Sequence, residues 1–501
     1  MSEQWPGGLI TKTPVTPSGP FEVSTASGVW TLEEAYQWKG DGLWPTAGNT
    51  LAYYTSYGIL SGQGWYGKAV SVDSSSNIYV SGWLSQAGST FTDDDIVWTA
   101  KWPSAGTAPT WQRSAQDTNI TACEVEDSVI DSTSDIIIAV KATASTSPTR
   151  YAAVLKWDTD GTFQWGRNFG STSARSRAVC SLGVDSSDNL YIWTNGVTSG
   201  FAQVVKWNSA GTIQWQYSAT TDDGSIGNVL TTQDCDMAVD SSDYLLLGGW
   251  ATTSTGGVVV GSIARVTAAG VLDWSREVTV LNEGVKAVAT DSSDNVYISG
   301  QSTGPTIPYI MKFNSSGTRQ WTRKIAGSAS GTVWSQGKPK RMAVDASDNV
   351  YLIAEVSLNR SASGGPNNEA IGVFKYSSAG VLQWARYIQG NIYNMGANSR
   401  ITIDGSDMVI SSRVSIDSAD AGNMSMFYIK IPTDGSKTGD YTNPTYTGFT
   451  LSYGVLSVAE SEDTTSTVAT ASYTLASTSV SEAATTMTSA TGTLTYDNDP
   501  L

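Results

Sequence analysis

Carboxylates dominate the residues able to do chemistry in this sequence, and histidine is absent from it. The 501 residues include 46 Asp and Glu against 29 Lys and Arg, for a formal net charge of −17. Without His, catalytic triads, His general bases and His metal sites are excluded. Paired carboxylates for glycoside hydrolysis remain open, but no spacing singles out one pair. We therefore predict that the protein is not an enzyme and has no catalytic residues and no cofactor.

One aspartate recurs along the chain at intervals of 51 to 59 residues, in phrases such as VDSSDNLYIW from Val184 and TDSSDNVYISG from Thr290. Such Asp and Ser oxygens suit calcium, but no copy has the ligand count of an EF-hand loop. An Asp that bonds the backbone of its own turn explains the pattern, and we predict no metal site. This residue, called the repeat aspartate below, is Asp73, Asp131, Asp185, Asp240, Asp291, Asp345 and Asp404.

A second phrase follows each aspartate block, with a basic residue, an aromatic, a Gly-containing turn and Gln-Trp. Clear copies are KWDTDGTFQW from Lys156, KWNSAGTIQW from Lys206, KFNSSGTRQW from Lys312 and KYSSAGVLQW from Lys375. The indoles could stack on sugars, but recurrence once per repeat favours packing between repeats. Each repeat holds four short strands of alternating polarity joined by turn residues, which is the content of one β-propeller blade.

These patterns predict an all-β fold, a seven-bladed β-propeller with an extended N-terminal arm and a β-rich C-terminal extension. The predicted limits are 1–48 for the arm, which includes a short helix, 49–441 for the propeller and 442–501 for the Ser/Thr/Ala-rich extension. Because the seventh repeat lacks its Trp strand, we expect the strand at 49–60 to complete it and close the ring.

Candidate binding residues lie where the chain departs from the repeat. Two longer loops contribute Asp93, Asp94, Asp95, Asn359, Arg360, Asn367 and Asn368, and the non-repeating indoles are Trp83, Trp193, Trp250 and Trp334. The residue five positions before each repeat aspartate is expected near the central channel. These residues are Lys68, Glu126, Cys180, Cys235, Lys286, Lys340 and Ser399. They form no recognisable catalytic set, so an apolar or solvated channel entrance is expected.

Composition also limits partners and compartment. Three cysteines are too few for a disulfide framework, and we expect buried free thiols. No apolar run of membrane-spanning length and no secretory signal is visible in the sequence. The acidic balance argues against nucleic acid, whose phosphates attract Lys and Arg.

The repeat over residues 66–442 resembles the bacterial seven-bladed β-propeller repeat family, whose blades carry an AVD-x-x-GN-x-Y-V-x-G core and a K-x-x-x-x-G turn. That family has no single activity, so the resemblance implies architecture only. Residues 26–49, ASGVWTLEEAYQWKGDGLWPTAGN, are similar to segments of structural proteins of tailed bacteriophages.

This second resemblance predicts a virion protein, in a tail fibre or on the particle surface, whose propeller displays a host-binding face. Residues 1–50 and 442–501 are then expected to contact other virion proteins in a homo-oligomer, and the propeller a host glycan or protein. The alternatives are a capsid decoration protein without receptor binding, and an extracellular carbohydrate-binding propeller or glycosidase.

Overall fold

The chain is described by a computed structural model. The described residues are 3–5, 8–10, 52–57, 64–85, 96–104, 109–116, 120–144, 150–169, 178–195, 202–221, 235–252, 259–302, 306–327, 334–358, 369–390, 399–415, 424–442, 450–463, 467–470, 473–477, 482–484, 488–491 and 496–497. Two compact units are distinguished, Met1–Thr50 and Leu51–Leu501. The first contains an antiparallel hairpin of β1 (Glu3–Trp5) and β2 (Gly8–Ile10). The helix expected in the N-terminal arm lies outside the described residues.

The second unit is a seven-bladed β-propeller, which confirms the predicted all-β fold class. The strands of its first three blades are β4 (Gly64–Val72), β5 (Ile78–Ser85), β6 (Ile96–Trp102) and β7 (Trp111–Gln116), then β8 (Ile120–Ile130), β9 (Ile136–Ala144), β10 (Arg150–Trp157) and β11 (Phe163–Phe169), then β12 (Ala178–Val184), β13 (Leu190–Asn195), β14 (Ala202–Trp207) and β15 (Ile213–Thr221).

Blades four to six continue the same pattern of four consecutive antiparallel strands. Their strands are β16 (Asp236–Val239), β17 (Leu245–Thr252), β18 (Val259–Val266) and β19 (Leu272–Val278), then β20 (Val285–Thr290), β21 (Val296–Ser302), β22 (Ile307–Phe313) and β23 (Arg319–Gly327), then β24 (Trp334–Val344), β25 (Val350–Leu358), β26 (Glu369–Tyr376) and β27 (Leu382–Gly390).

Blade seven is built from both ends of the chain. It contains β28 (Arg400–Asp404), β29 (Asp407–Ser415) and β30 (Met424–Pro432), and its fourth strand is β3 (Ala52–Tyr57), which pairs antiparallel with β30. The ring therefore cannot close until the N-terminal strand meets the last repeat.

The C-terminal extension forms a belt that runs round the outside of the ring. Its strands are β31 (Gly439–Thr442), β32 (Thr450–Val455), β33 (Val458–Glu462), β34 (Val468–Thr470), β35 (Tyr473–Ser477), β36 (Glu482–Ala484), β37 (Thr488–Thr491) and β38 (Tyr496–Asp497). From β32 onward they add a fifth strand to blades six, five, four, three, two, one and seven in that order. Each one covers the outer edge of a blade.

The belt was expected against a neighbouring subunit, whereas its described strands pair with the chain's own blades. The fourth strand of each blade leaves an unpaired edge close by, and a Thr- and Ser-rich strand can satisfy that edge without a large core of its own. Contact between this extension and other subunits stays a prediction.

Apolar side chains are buried mainly between blades rather than within them. In the described residues, seven hydrophobic clusters each join two neighbouring blades. The belt contributes buried side chains to two of these clusters, where Leu451, Tyr453 and Leu456 lie, and its Val468 packs against a third. No helix in the described part of the chain is long and apolar enough to cross a membrane.

The repeat aspartate accepts hydrogen bonds from the backbone of its own hairpin turn, which confirms the turn interpretation. Asp185 Oδ1 accepts hydrogen bonds from the backbone N–H groups of Ser187 (3.0 Å) and Asn189 (2.8 Å). Its Oδ2 accepts from the Tyr191 hydroxyl at 2.8 Å and lies 3.3 Å from Lys206 Nζ. Burial alone would raise the pKa of Asp185, but the hydrogen bonds from Asn189 and Tyr191 outweigh it and hold the pKa below its ordinary value.

The second aspartate of the motif joins neighbouring blades. Asp243, with φ of 62°, accepts hydrogen bonds from the Ser186 N–H at 2.8 Å and the Ser186 hydroxyl at 2.7 Å in the preceding blade. Asp188, Asp294 and Asp348 make the same contact with Ser132, Ser241 and Ser292. These hydrogen bonds connect each blade from two to five with the next one at their inner hairpins.

The recurring indoles pack between blades, as predicted. Trp321 Nε1 donates to the Ser378 carbonyl of the next blade at 3.1 Å, and the turn glycine Gly380 lies against the indole face. Arg323 crosses the same boundary, where its Nε donates to the Gly380 carbonyl at 2.8 Å. Equivalent indole bonds are made by Trp111, Trp165, Trp215, Trp274 and Trp384. These side chains are structural parts of the ring.

Candidate binding site in the central channel

A cavity of about 380 Å³ lies among the inner strands of the seven blades. We call it the cup. Its lining residues are Val70, Ser71, Val72, Asp127, Ser128, Val129, Ile130, Ser181, Leu182, Val184, Asp236, Met237, Val288, Arg341, Met342, Arg400, Ile401 and Thr402. All of them lie within the four positions before a repeat aspartate. The cup therefore follows each inner strand towards its hairpin turn.

The polar floor of the cup comes from the residue four positions before the repeat aspartate. Across the seven blades this position holds Ala69, Asp127, Ser181, Asp236, Ala287, Arg341 and Arg400. Asp127, Asp236 and Arg341 belong to blades two, four and six. Together with Ser181 and Arg400 they lie at one level of the channel. This charged set lies at the floor of the cup, and the expected apolar or solvated entrance stays a prediction.

The channel residues lie one position later in the repeat than predicted, because a β-bulge interrupts the alternation of the inner strands. The register shifts between Gly67 and Ala69, and between Val125 and Asp127. Strands β12, β20 and β24 shift at the same place in the repeat. A bulge sets two residues against one on the partner strand, so simple alternation no longer tells which side chain faces the axis.

Arg341 bridges two carboxylates that belong to non-adjacent blades. Its Nη2 lies 3.1 Å from Asp127 Oδ2, and its Nη1 forms an ion pair with Asp236. Asp127 is in blade two, Asp236 in blade four and Arg341 in blade six. The contact therefore spans the channel and closes the cup at this level.

Ser181 links the same two carboxylates. Its Oγ lies 2.9 Å from Asp127 Oδ2 and 2.9 Å from Asp236 Oδ1, so these two oxygens are within twice that distance of each other. Backbone N–H groups complete the coordination, from Leu182 to Asp127 at 3.1 Å and from Val288 to Asp236 at 2.9 Å. Burial raises the pKa of Asp236, although Arg341 opposes the shift.

Arg400 reaches the cup from blade seven and is bound differently from Arg341. Its Nη1 donates to the Ser399 carbonyl at 3.2 Å and its Nη2 to the Glu126 carbonyl at 3.1 Å. Its buried Nε has no hydrogen-bond partner among the described residues. Burial, together with the charge of Arg341, lowers the pKa of Arg400 to about 10, so the guanidinium remains charged at neutral pH.

None of the residues five positions before the repeat aspartate lines the cup. Lys68, Lys340 and Ser399 instead contact side chains of other strands. Lys68 of blade one and Glu126 of blade two form a buried ion pair. Burial lowers the pKa of Lys68 and raises that of Glu126. Lys340 Nζ lies 3.4 Å from Glu355, and the Ser399 hydroxyl donates to Ser412 at 2.9 Å.

The expectation of free thiols holds for only one of the cysteines whose state the structure describes. Cys123 is a buried free thiol, whereas Cys235 is disulfide-bonded, which corrects the prediction. Counting three cysteines in the sequence could not reveal this pair, because the partner of Cys235 is set by the packing of the ring and not by local spacing.

The predicted binding residues are placed away from the cup or outside the described residues. Trp83, Trp193 and Trp334 are buried in hydrophobic clusters between blades. Trp250 is half-buried near Gly284. The loop residues Asp93, Asp94, Asp95, Asn359, Arg360, Asn367 and Asn368 lie outside the described residues. Their ligand contact stays a prediction.

No protein-family model matches the sequence, and no curated protein matches it. Among solved structures, the polysaccharide lyase Uly1 is similar over 77% of this chain and 100% of its own, with 9% identity and a TM-score of 0.42. The rhamnogalacturonan lyase YesW is similar over 66% of this chain and 57% of its own, with 13% identity and a TM-score of 0.29.

These comparisons overturn the prediction that the protein is not an enzyme, because both similar structures are polysaccharide lyases. The prediction was based on the absence of His and of a recognisable nucleophile–base pair, and that reasoning examined the chain only as a linear pattern. Neither similarity assigns an activity to this chain. The resemblance of residues 26–49 to bacteriophage proteins stays a prediction.

Proposed function

We propose that the protein is a structural protein of a tailed bacteriophage, located in a tail fibre or on the particle surface, whose propeller displays a host-binding face. The phrase at residues 26–49 supports the particle assignment through its resemblance to bacteriophage structural proteins. The acidic charge of −17 is compatible with a role that does not involve nucleic acid.

The observation that carries the display role is the belt. One C-terminal segment adds an outer strand to all seven blades, while β3 joins the last blade to the N-terminal part of the propeller. A protein exposed outside a cell benefits from covered blade edges, since open edges template unwanted strand pairing. The same belt leaves the ends of the channel, rather than the rim of the ring, as the surfaces for recognition.

Localisation on purified particles tests this proposal. We expect antibodies against the propeller to label particles at a fixed position in electron micrographs, and added free protein to slow adsorption to the host. Labelling of the capsid with unchanged adsorption would support a decoration protein instead. Absence of the protein from purified particles would contradict the proposal.

A second candidate is a carbohydrate-active propeller, and the pair Asp127 and Asp236 favours it. One oxygen of each carboxylate lies 2.9 Å from Ser181 Oγ, and a pair of neighbouring carboxylates is the arrangement that glycoside hydrolases use. We would incubate the protein with neutral and acidic polysaccharides and measure new reducing ends. Asp236→Asn should abolish any release of reducing ends. Asp243→Asn, at the contact with Ser186 of the preceding blade, should retain it. No release from any polysaccharide would reject this candidate.

A further inference from the structure

We propose that the cup binds an oxyanion carried by a small sugar, and that Arg400 holds this group. The site consists of channel residues only, so the proposal goes beyond the host-display role and does not depend on it. The ligand chemistry is a carboxylate or sulfate on a sugar ring, and the experiment below separates these from a bare anion.

The hydrogen-bonding capacity of Arg400 is the first support. A guanidinium has five N–H groups, and those of Arg400 make two hydrogen bonds, both to backbone carbonyls. The buried Nε–H has no acceptor in the part of the chain that the structure describes, and the guanidinium N–H groups lie in one plane. Their planar arrangement suits two oxygens of one anionic group.

The charge around Arg400 is the second support. Arg341 pairs with Asp127 and Asp236, and Lys68 pairs with Glu126. Arg400 contacts only carbonyl oxygens and forms no ion pair with a carboxylate of the described residues. The carboxylates near Arg400 are those of Asp127, Asp236 and Glu126, and they are paired with Arg341 and Lys68. An entering anion would give the Arg400 guanidinium a direct partner of its own.

The shape and walls of the cup indicate what carries the anion. A volume of about 380 Å³ lies within the ~300–1,000 Å³ range of small-molecule sites. The lining also includes the apolar residues Leu182, Met237, Val288, Met342 and Ile401 beside the polar ones. Ser71 and Ser128 add hydroxyl groups that lie 2.7 Å from each other. A lining that mixes apolar side chains and hydroxyls matches the faces and edges of a sugar ring better than a free inorganic ion.

Access is from the hairpin end of the inner strands. Arg341 and Asp236 are buried at the floor, whereas Val72, Val184 and Thr402 are partly exposed. Arg400 is also partly exposed, and a ligand entering past Thr402 would contact both the mixed lining and Arg400. This arrangement predicts that both the anion and the ring contribute to binding.

Titration calorimetry on the full-length protein tests the proposal. The probes are glucuronate and galacturonate for a carboxylate sugar, galactose 6-sulfate for a sulfated sugar, glucose as the neutral sugar and inorganic phosphate as the bare anion. We expect at least one charged sugar to bind measurably more tightly than both glucose and phosphate.

Two variants assign the site and one controls for charge. Arg400→Gln should weaken binding roughly tenfold or more, because charged hydrogen bonds to the anion are lost. Thr402→Trp should block entry while keeping the floor intact. Arg276→Gln removes the same charge at a blade boundary, where Arg276 Nε donates to the Gly317 carbonyl at 2.8 Å, and should leave binding unchanged. Circular dichroism verifies that each variant is folded.

Each outcome decides the proposal. Tighter binding of a carboxylate or sulfated sugar that both cup variants weaken supports it and names the anion. Equal binding of phosphate and the charged sugars overturns the sugar assignment. No binding by the folded wild-type protein, or unchanged binding by Arg400→Gln, overturns the site. None of these results depends on whether the protein is found on particles.

Discussion

One repeat position has a different chemical role in different blades. Four residues before the repeat aspartate, the small residues Ala69 and Ala287 leave space, while Asp127, Asp236 and Arg341 meet across the axis. The repeat aspartate, by contrast, accepts hydrogen bonds from the backbone of its own turn in blades one to six. At the residue scale, the repeat sets the scaffold and a single variable position supplies the chemistry of the channel.

Turn glycines show how closely neighbouring blades approach each other. Gly380 has φ of 76°, and a Cβ built on it would lie 2.7 Å from Trp321. Gly405 also has positive φ, at 59°, but a Cβ there would meet nothing within 4 Å. Alanine at Gly405 would therefore add backbone strain alone, whereas alanine at Gly380 would add a steric clash as well.

We expect Gly405→Ala to lower the free energy of unfolding by about 1 kcal/mol, from the left-handed backbone alone. Gly380→Ala should lower it by a further ~1–3 kcal/mol, because the methyl group overpacks the indole. Chemical denaturation of both variants measures the difference. Equal losses would show that the Trp321 contact is not tight.

At the element scale, the belt is the feature with no counterpart in the repeats. It runs in the order opposite to the chain, from blade six down to blade one, and ends beside β3 in blade seven. Its first strands are anchored most firmly, since Leu451 and Tyr453 are buried and Glu460 lies 3.0 Å from Arg323. The extension is therefore part of the propeller's own structure.

Truncation after Thr442 should leave a folded ring with lower stability. We expect its Tm to fall by roughly 5 °C or more and its proteolysis to accelerate, because the outer edges and the anchoring side chains are lost together. Truncation after Ser477 keeps β32 to β35 and should give a smaller loss. Thermal unfolding and limited proteolysis of the three lengths provide the comparison. An unchanged Tm after the longer truncation would contradict a stabilising belt.

At the scale of the whole molecule, the repeat aspartates act together on the pH dependence of stability. Hydrogen bonds outweigh burial and hold the pKa values of Asp73, Asp131, Asp185, Asp291 and Asp345 below the ordinary value. A lowered carboxyl pKa contributes stability that is present above the unfolded pKa and is lost as the pH falls through the folded pKa. Glu126 and Asp236, whose pKa values burial raises, act in the opposite direction.

We therefore expect the free energy of unfolding to change little between about pH 7 and 5 and to fall steeply below about pH 4, near the ordinary pKa of Asp. Asp185→Asn should reduce stability at neutral pH and flatten the acid loss. Asp160→Asn, at an exposed turn position, should do neither. Denaturation at a series of pH values measures these slopes. A loss of stability that begins well above about pH 5 would contradict the assignment to lowered carboxyl pKa values.

The blades, their number and the role of the recurring Asp and Trp residues follow from sequence patterns. These features depend on local hairpin chemistry and on a repeat, so each copy carries its own information, as the Asp185 turn and the Trp321 contact show. Tertiary structure alone decided the cup, the disulfide of Cys235 and the path of the belt. Arg341 and Asp127 are 214 residues apart and meet only when the ring closes. The inner-strand bulges decide which side chains face the axis, and no periodic pattern in the sequence records them.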